Sequence, residues 1–286
     1  MKIPILMEPL LTKDLENLII SNKKDRIRFN KFNDYWGPNA KWLLTQILSS
    51  VEFSENEEIA ILTSSNRTYV SSCISLTAFN FSKISRSVNS NTKVIIIIYE
   101  FGWTNEKISR NIKKWKAEGK LIIEDFAHVF VDYIIKEDIE NNGDYLIFSL
   151  PKIIPSKSGG FLLTKKKITL NPMTNQESFQ KKNGIKAGKK FLGYINLFNK
   201  WRLCRDEFIK KNISSDFTLD KPGNCLIPYF TGFFSPLSDK IRMHIDYVEW
   251  GATLEKNLLY IPTNPLVKLE YYKKLIKDIN ILGKKD

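Results

Sequence analysis

Six consecutive apolar residues, Val94-Ile95-Ile96-Ile97-Ile98-Tyr99, constrain the fold more than any other stretch of this chain. A run with no polar alternation leaves neither face to water, so it reads as a central parallel strand covered on both sides. Around it strands and helices alternate. Glu58 to Thr63 reads as a strand, Tyr69 to Phe79 as a helix and Lys83 to Ser85 as a short strand. After the central run, a helix from Glu106 to Ala117 leads to a strand at Leu121 to Glu124. Strand, helix, strand with short connections predicts a doubly wound, mostly parallel α/β sheet.

The flanks are read from spacing and punctuation. Residues 8–22 carry Leu10, Leu11, Leu15, Leu18 and Ile19 as a helical apolar stripe. Trp36-Gly37-Pro38-Asn39-Ala40 leads into a helix through Trp42, Leu43, Leu44, Ile47 and Leu48. Residues 168–188 are polar and contain glycine, so they read as a linker or surface excursion. One long helix is expected from Lys189 to Lys211, strands at Cys225 to Phe234 and Leu258 to Ile261, and an amphipathic helix from Leu269 to Leu282. The division expected is a large domain over residues 1–188 and a small, reduced C-terminal α+β domain over 189–286.

Composition narrows the function classes. With 286 residues, 43% hydrophobic, the chain can bury a sizeable core. Its longest apolar run is far too short to span a bilayer. The N-terminus lacks the long apolar segment and cleavage site of a signal peptide, so a cytoplasmic location is expected. Cys73, Cys204 and Cys225 are widely separated, which argues against a disulfide framework or zinc site and for reduced, buried thiols. The two histidines, His128 and His244, are too few for a His-rich metal centre, and no metal is expected. A net charge of +13 admits an anionic partner, either a nucleotide diphosphate, a nucleic acid or an acidic membrane surface. The basic residues are scattered in twos and threes, as at Lys165-Lys166-Lys167, and read mainly as solvated faces. Neither a nucleic-acid partner nor a membrane span is expected.

Two apolar strands end in chemistry-bearing residues. Ile122-Ile123-Glu124-Asp125-Phe126-Ala127-His128 comes first, then Ile147-Phe148-Ser149-Leu150-Pro151-Lys152, with Gly159-Gly160 beginning seven residues after the lysine. Taken singly, an Asp or Lys at a strand end is an ordinary loop residue. In this order and at this spacing the segments resemble the fold-type-I enzymes dependent on pyridoxal 5'-phosphate (PLP), most closely the DegT/StrS family of sugar aminotransferases. The resemblance covers residues 30–165 well and the remainder loosely.

The resemblance implies a role for each position. Lys152 bonds covalently to the cofactor aldehyde and moves protons, and Asp125 pairs with the protonated pyridine nitrogen. His128 lies near the ring oxygen or packs on Asp125, and Ser149 donates its hydroxyl to the phosphate. Gly37, Asn39 and Ala40 form the turn whose N–H groups meet the phosphate at a helix N-terminus. Pro38 departs from that pattern because it has no N–H to give. Tyr69, in Thr68-Tyr69-Val70-Ser71-Ser72, supplies the aromatic face that stacks on the pyridine. Tyr99-Glu100-Phe101-Gly102 is similar to the family's His-x-Phe-Gly, and Lys157 is the rival lysine in a polar loop. The family's Asn-containing segment after the Gly-Gly strand has only a faint echo at Lys182-Asn183-Gly184.

The function the resemblance implies is transfer of an amino group from glutamate to a nucleotide-linked keto-sugar, for polysaccharide biosynthesis, by a homodimer. The alternative is a catalytically silent relative that serves as scaffold or partner subunit, which Pro38 and the missing Asn segment favour. A basic nucleic-acid-binding protein rests on charge alone.

Overall fold

Parallel strands need crossovers, and the helices of this chain supply them. The computed structural model describes residues 3–4, 6–25, 29, 32–65, 71–130, 143–221, 224–235 and 258–283. Helix α1 spans Lys13–Ile20, β1 Asn33–Gly37, α2 Ala40–Ser49, β2 Glu58–Thr63, α3 Ser72–Phe79, β3 Lys83–Ser85 and β4 Thr92–Ile98. Then come β5 Trp103–Thr104, α4 Glu106–Ala117, β6 Leu121–Asp125, β7 Tyr145–Ser149, the one-turn α5 Leu150–Ile153 and β8 Gly160–Thr164. The remainder holds α6 Asn175–Phe191, α7 Ile195–Asn212, β9 Thr218–Leu219, β10 Asn224–Cys225, β11 Phe230–Phe234, β12 Leu258–Pro262 and α8 Leu269–Gly283.

The main sheet has the order β1-β8-β7-β6-β4-β2-β3. Strands β3, β2, β4, β6 and β7 are parallel, β8 runs against β7, and β1 against β8. The central run of isoleucines lies in β4 and is covered on both faces. Val94, Ile96 and Ile98 pack with Leu43, Leu44 and Ile47 of α2, while Ile95 and Ile97 pack with Phe148 and Phe161 on the other side. Burying one such side chain contributes about 1.5–3 kcal/mol.

A smaller antiparallel sheet, β12-β11-β9, builds its own core from Phe217, Phe233, Leu259, Ile261 and Tyr272. It joins the main sheet at the corner after β4. The Leu226 N–H donates to Gly102 O at 2.8 Å and the Tyr229 N–H to Phe101 O at 3.1 Å. Gly102 is required there: its φ is +88° and a Cβ would lie 1.9 Å from the Ile227 carbonyl oxygen.

Several expectations are corrected. Most of 168–188 is not a linker but helix α6, started by a capping box in which Thr174 and Glu177 satisfy each other's backbone N–H groups. Its glycines mark close approach rather than a loop. A Cβ on Gly184 would lie 2.7 Å from Gly159 Cα, and one on Gly188 2.5 Å from the Trp36 ring. The long helix expected from 189 to 211 is divided by a 3-10 turn at Leu192–Tyr194, so position 188 falls inside α6. Residues 33–37 form an edge strand, and the segment from Cys225 to Phe234 holds two strands, β10 and β11. The three cysteines are free but exposed: Cys73 lies on α3, Cys204 on α7 and Cys225 in the two-residue strand β10.

Gly160 is where β8 meets the start of α2. A Cβ there would stand 2.4 Å from the Asn39 carbonyl carbon and oxygen, backbone atoms that have little room to move. Gly160→Ala should therefore lower stability by about 1–3 kcal/mol, read as a fall in the urea midpoint at constant slope.

Candidate active site

The carboxyl ends of parallel strands are where open α/β sheets leave a crevice. Here β6 ends at Asp125 and β7 at Ser149, and register sets Asp125 beside Ile147 and Ser149 beside Gly160. Pro151 starts the single turn of α5, which carries Lys152 back over the strand ends. The result is a cavity of about 400 Å³ lined by Asn39, Ala40, Ser149, Asp125, His128 and Lys152, with Ile96, Ile98, Ile123 and Ile147 as its apolar floor. That volume falls within the usual range for small-molecule sites, roughly 300–1,000 Å³.

Six of the eight expected site residues thus meet in one cavity. Gly37 stands apart from the lining: it is buried at the end of β1, with the space for a Cβ taken by Leu43 and Trp42. Tyr69 lies outside the described residues. Lys157 is exposed and forms a 3.6 Å surface ion pair with Glu8, away from the cavity.

Lys152 Nζ stands 3.2 Å from His128 Nε2. Burial holds the lysine below its ordinary value, opposed by the Asp125 charge and more weakly by Cys73. Asp125 is pushed up by burial, with the Lys152 charge and the N–H of Ala127, donated to Oδ1 at 2.8 Å, acting in the other direction. His128 is held well below 6.5, first by burial, then by the positive charges of Lys152 and Arg202. A neutral imidazole presents one nitrogen as an acceptor, so Nε2 can take a hydrogen bond from the lysine.

One wall of the cavity is the start of α2. Asn39 caps the helix through its side chain, which accepts from the Trp42 N–H at 2.8 Å. The amides of Ala40 and Lys41 precede any intrahelical acceptor, so they remain available to an anion. Pro38 lends its carbonyl to the N–H of Gly159 at 2.8 Å and so ties the turn to the Gly-Gly strand. The bare Cα of Gly160 lets this helix start approach β8 and Ser149 closely.

Four contributors escaped the sequence reading. Lys41, Ser71 and Cys73 also line the cavity. Arg202 on α7 donates to the Lys152 carbonyl at 2.9 Å. The signal for Arg202 was present in the periodicity. Ile195, Phe198, Arg202 and Ile209 share the buried face of α7, and a charge on an apolar face marks a special environment.

The Tyr99-Glu100-Phe101-Gly102 segment acts structurally. Tyr99 stacks on Phe126 at 4.3 Å and donates to Glu124 at 2.6 Å. The buried Glu100 carboxylate accepts from the backbone and hydroxyl groups of Ser64 and Ser65, holding the end of β2. Among the described residues no helix is long and apolar enough to cross a membrane, and no cluster of potential metal ligands occurs.

No protein-family model and no curated protein sequence matches the chain. Solved structures do. NtdA from Bacillus subtilis, with bound PMP, superposes with a TM-score of 0.70 at 11% identity, over 99% of this chain and 86% of that one. PseC from Helicobacter pylori, an aminotransferase of pseudaminic acid biosynthesis, gives 0.64 at 12% identity over 95% and 96%. A DegT/StrS-type aminotransferase from Brucella abortus gives 0.64 at 12% identity over 88% and 86%. With the sheet order and the strand-end cavity, these likenesses show that the chain has the PLP-transferase type I fold of the DegT/StrS-type sugar aminotransferases.

Proposed function

We propose that the chain is a PLP-dependent aminotransferase that converts a keto-sugar, nucleotide-linked, to an amino-sugar with glutamate as donor. The observation that carries this reading is the convergence of Lys152, Asp125 and Ser149 with the start of α2 in one apolar-floored cavity. The residues fit the cofactor. Ala40, Lys41 and Ser149 would hold its phosphate, Asp125 its pyridine nitrogen and Lys152 its aldehyde. Bound there, PLP supplies the electron sink that allows an amino group to leave one substrate and join another.

The protein's part is proton management and exclusion of water. Lys152, held below the ordinary lysine range, offers a neutral amine as nucleophile and then as base. Asp125 would hold a negative charge against the pyridine nitrogen and keep it protonated. The isoleucine floor excludes water from the reacting face. The likeness to PseC, an aminotransferase of pseudaminic acid biosynthesis, supports the substrate class, and a two-fold dimer with the site near the interface accords with the exposed Leu76 and Phe79 on α3 beside the cavity-lining Cys73.

The test is direct. Purified protein with PLP and glutamate should release 2-oxoglutarate and then aminate one member of a panel of nucleotide-linked keto-sugars, detected by mass spectrometry. No PLP binding at micromolar concentration and no amino transfer would favour the silent scaffold, the reading Pro38 supports. A second check uses Cys73. Its alkylation by N-ethylmaleimide should slow about tenfold or more when PLP fills the cavity, whereas Cys204, on the outer face of α7, should react unchanged.

A further inference from the structure

Arg202 is 3% exposed, yet among the described residues no carboxylate forms an ion pair with it. The obvious candidate one turn away, Asp206, is already taken, accepting from Thr231 Oγ1 at 2.8 Å and from Lys210. A buried guanidinium without a counter-charge is costly. Two of its contacts lead to the site. One N–H donates to the Lys152 carbonyl at 2.9 Å, Nη2 lies 3.7 Å from Met7 Sδ, and the guanidinium carbon stands 4.4 Å from the centre of the Tyr229 ring. The His128 ring packs on the same tyrosine at 4.7 Å and stands against Phe101 at 5.5 Å.

We propose that Arg202 is a positioning residue for the Lys152–His128 pair. Its guanidinium fixes the lysine's main chain and lies across the shared Tyr229 from the His128 ring, whose Nε2 stands 3.2 Å from Lys152 Nζ. This deepens the aminotransferase reading and rests on it for its purpose, but the arrangement itself is a property of the protein alone. The charged and titratable groups around the pair come from four elements: Asp125 at the end of β6, Cys73 on α3, Arg202 on α7 and Tyr229 before β11. Of these, Arg202 opposes a proton on His128 directly, after burial and Lys152. Asp125 favours the charge on Lys152. A fixed cation on the far side of Tyr229 therefore disfavours a proton on His128 and leaves Nε2 open to accept a hydrogen bond from Lys152.

The experiment needs no cofactor. The chain has two histidines, so imidazole nitrogen NMR of the protein gives two sets of signals, and His128→Gln identifies which set belongs to the site. In the wild type the His128 signals should keep the neutral pattern well into the acid range. In Arg202→Met the His128 midpoint should rise by about one unit, and in Arg202→Lys, which keeps the charge, most of the depression should return. Arg202→Gln keeps a donor for the Lys152 carbonyl while removing the charge, and carries the same test where the methionine variant does not fold. A folded neutral variant, with near-ultraviolet circular dichroism like that of the wild type, whose His128 titrates as in the wild type would overturn the proposal. A wild type that fails to capture PLP would sink the enzymatic reading and leave the His128 comparison intact, so the two failures are separable.

Discussion

Lys152→Ala should abolish covalent capture of PLP and reduce amino transfer by about 10⁴-fold. Wild-type protein treated with PLP and then borohydride should carry the adduct on Lys152, found by peptide mass spectrometry. Lys157→Ala should behave as the wild type within about twofold, because its exposed ion pair with Glu8 contributes little. The pH dependence has a definite sign. An amine reacts when neutral, and burial lowers the Lys152 value, so capture should level off below the ordinary lysine value of 10.5. The variant should still bind PLP without the covalent bond, since Ala40, Lys41, Ser149 and Asp125 remain. An adduct on Lys157, or on no lysine, would exclude Lys152 as the nucleophile.

Asp125→Asn should remove most transamination, at least about a hundredfold, with the fold intact. The pyridine nitrogen would lose the negative partner that keeps it protonated, while the Asn oxygen can still accept from the Ala127 N–H. Stability without cofactor should move the other way. The folded-state value of Asp125 is raised by burial, so the protonated carboxyl is favoured in the native protein more than in the unfolded chain. That contribution is present at low pH and is lost as pH rises through the folded-state value, leaving a buried carboxylate that costs stability at neutral pH. Asn avoids the cost, and thermal melts at neutral pH should show the cofactor-free variant at least as stable as the wild type. Turnover within a few-fold of the wild type would remove Asp125 from the role of pyridine partner.

Much of this fold was legible because its signals are local. An unbroken run of isoleucines needs cover on two faces whatever surrounds it, and Glu106 to Ala117 shows a helical period with Asn105 capping its start. The pair of strand ends carrying Asp125 and Ser149 was visible for the same reason: a parallel strand must stop being apolar where it leaves the core. Lys152, read as the end of the same strand, instead sits on the helical turn Leu150–Ile153.

What escaped depended on approach between distant segments. Gly184 and Gly188 looked like loop residues because a glycine in sequence signals only freedom, and their use in admitting Gly159 and Trp36 exists only once α6 is laid against the sheet. The strand at 33–37 is only five residues long, and its partner lies more than a hundred residues on, at Gly160–Thr164. Arg202 stands fifty positions from Lys152 in the chain and meets it through a single hydrogen bond. The sequence by itself determined the central sheet and the polar residues at its strand ends, since hydrophobic period and turn chemistry act over a few residues. Tertiary structure alone decided which glycines allow contact and which buried charge supports the lysine, because both depend on surfaces brought together by folding.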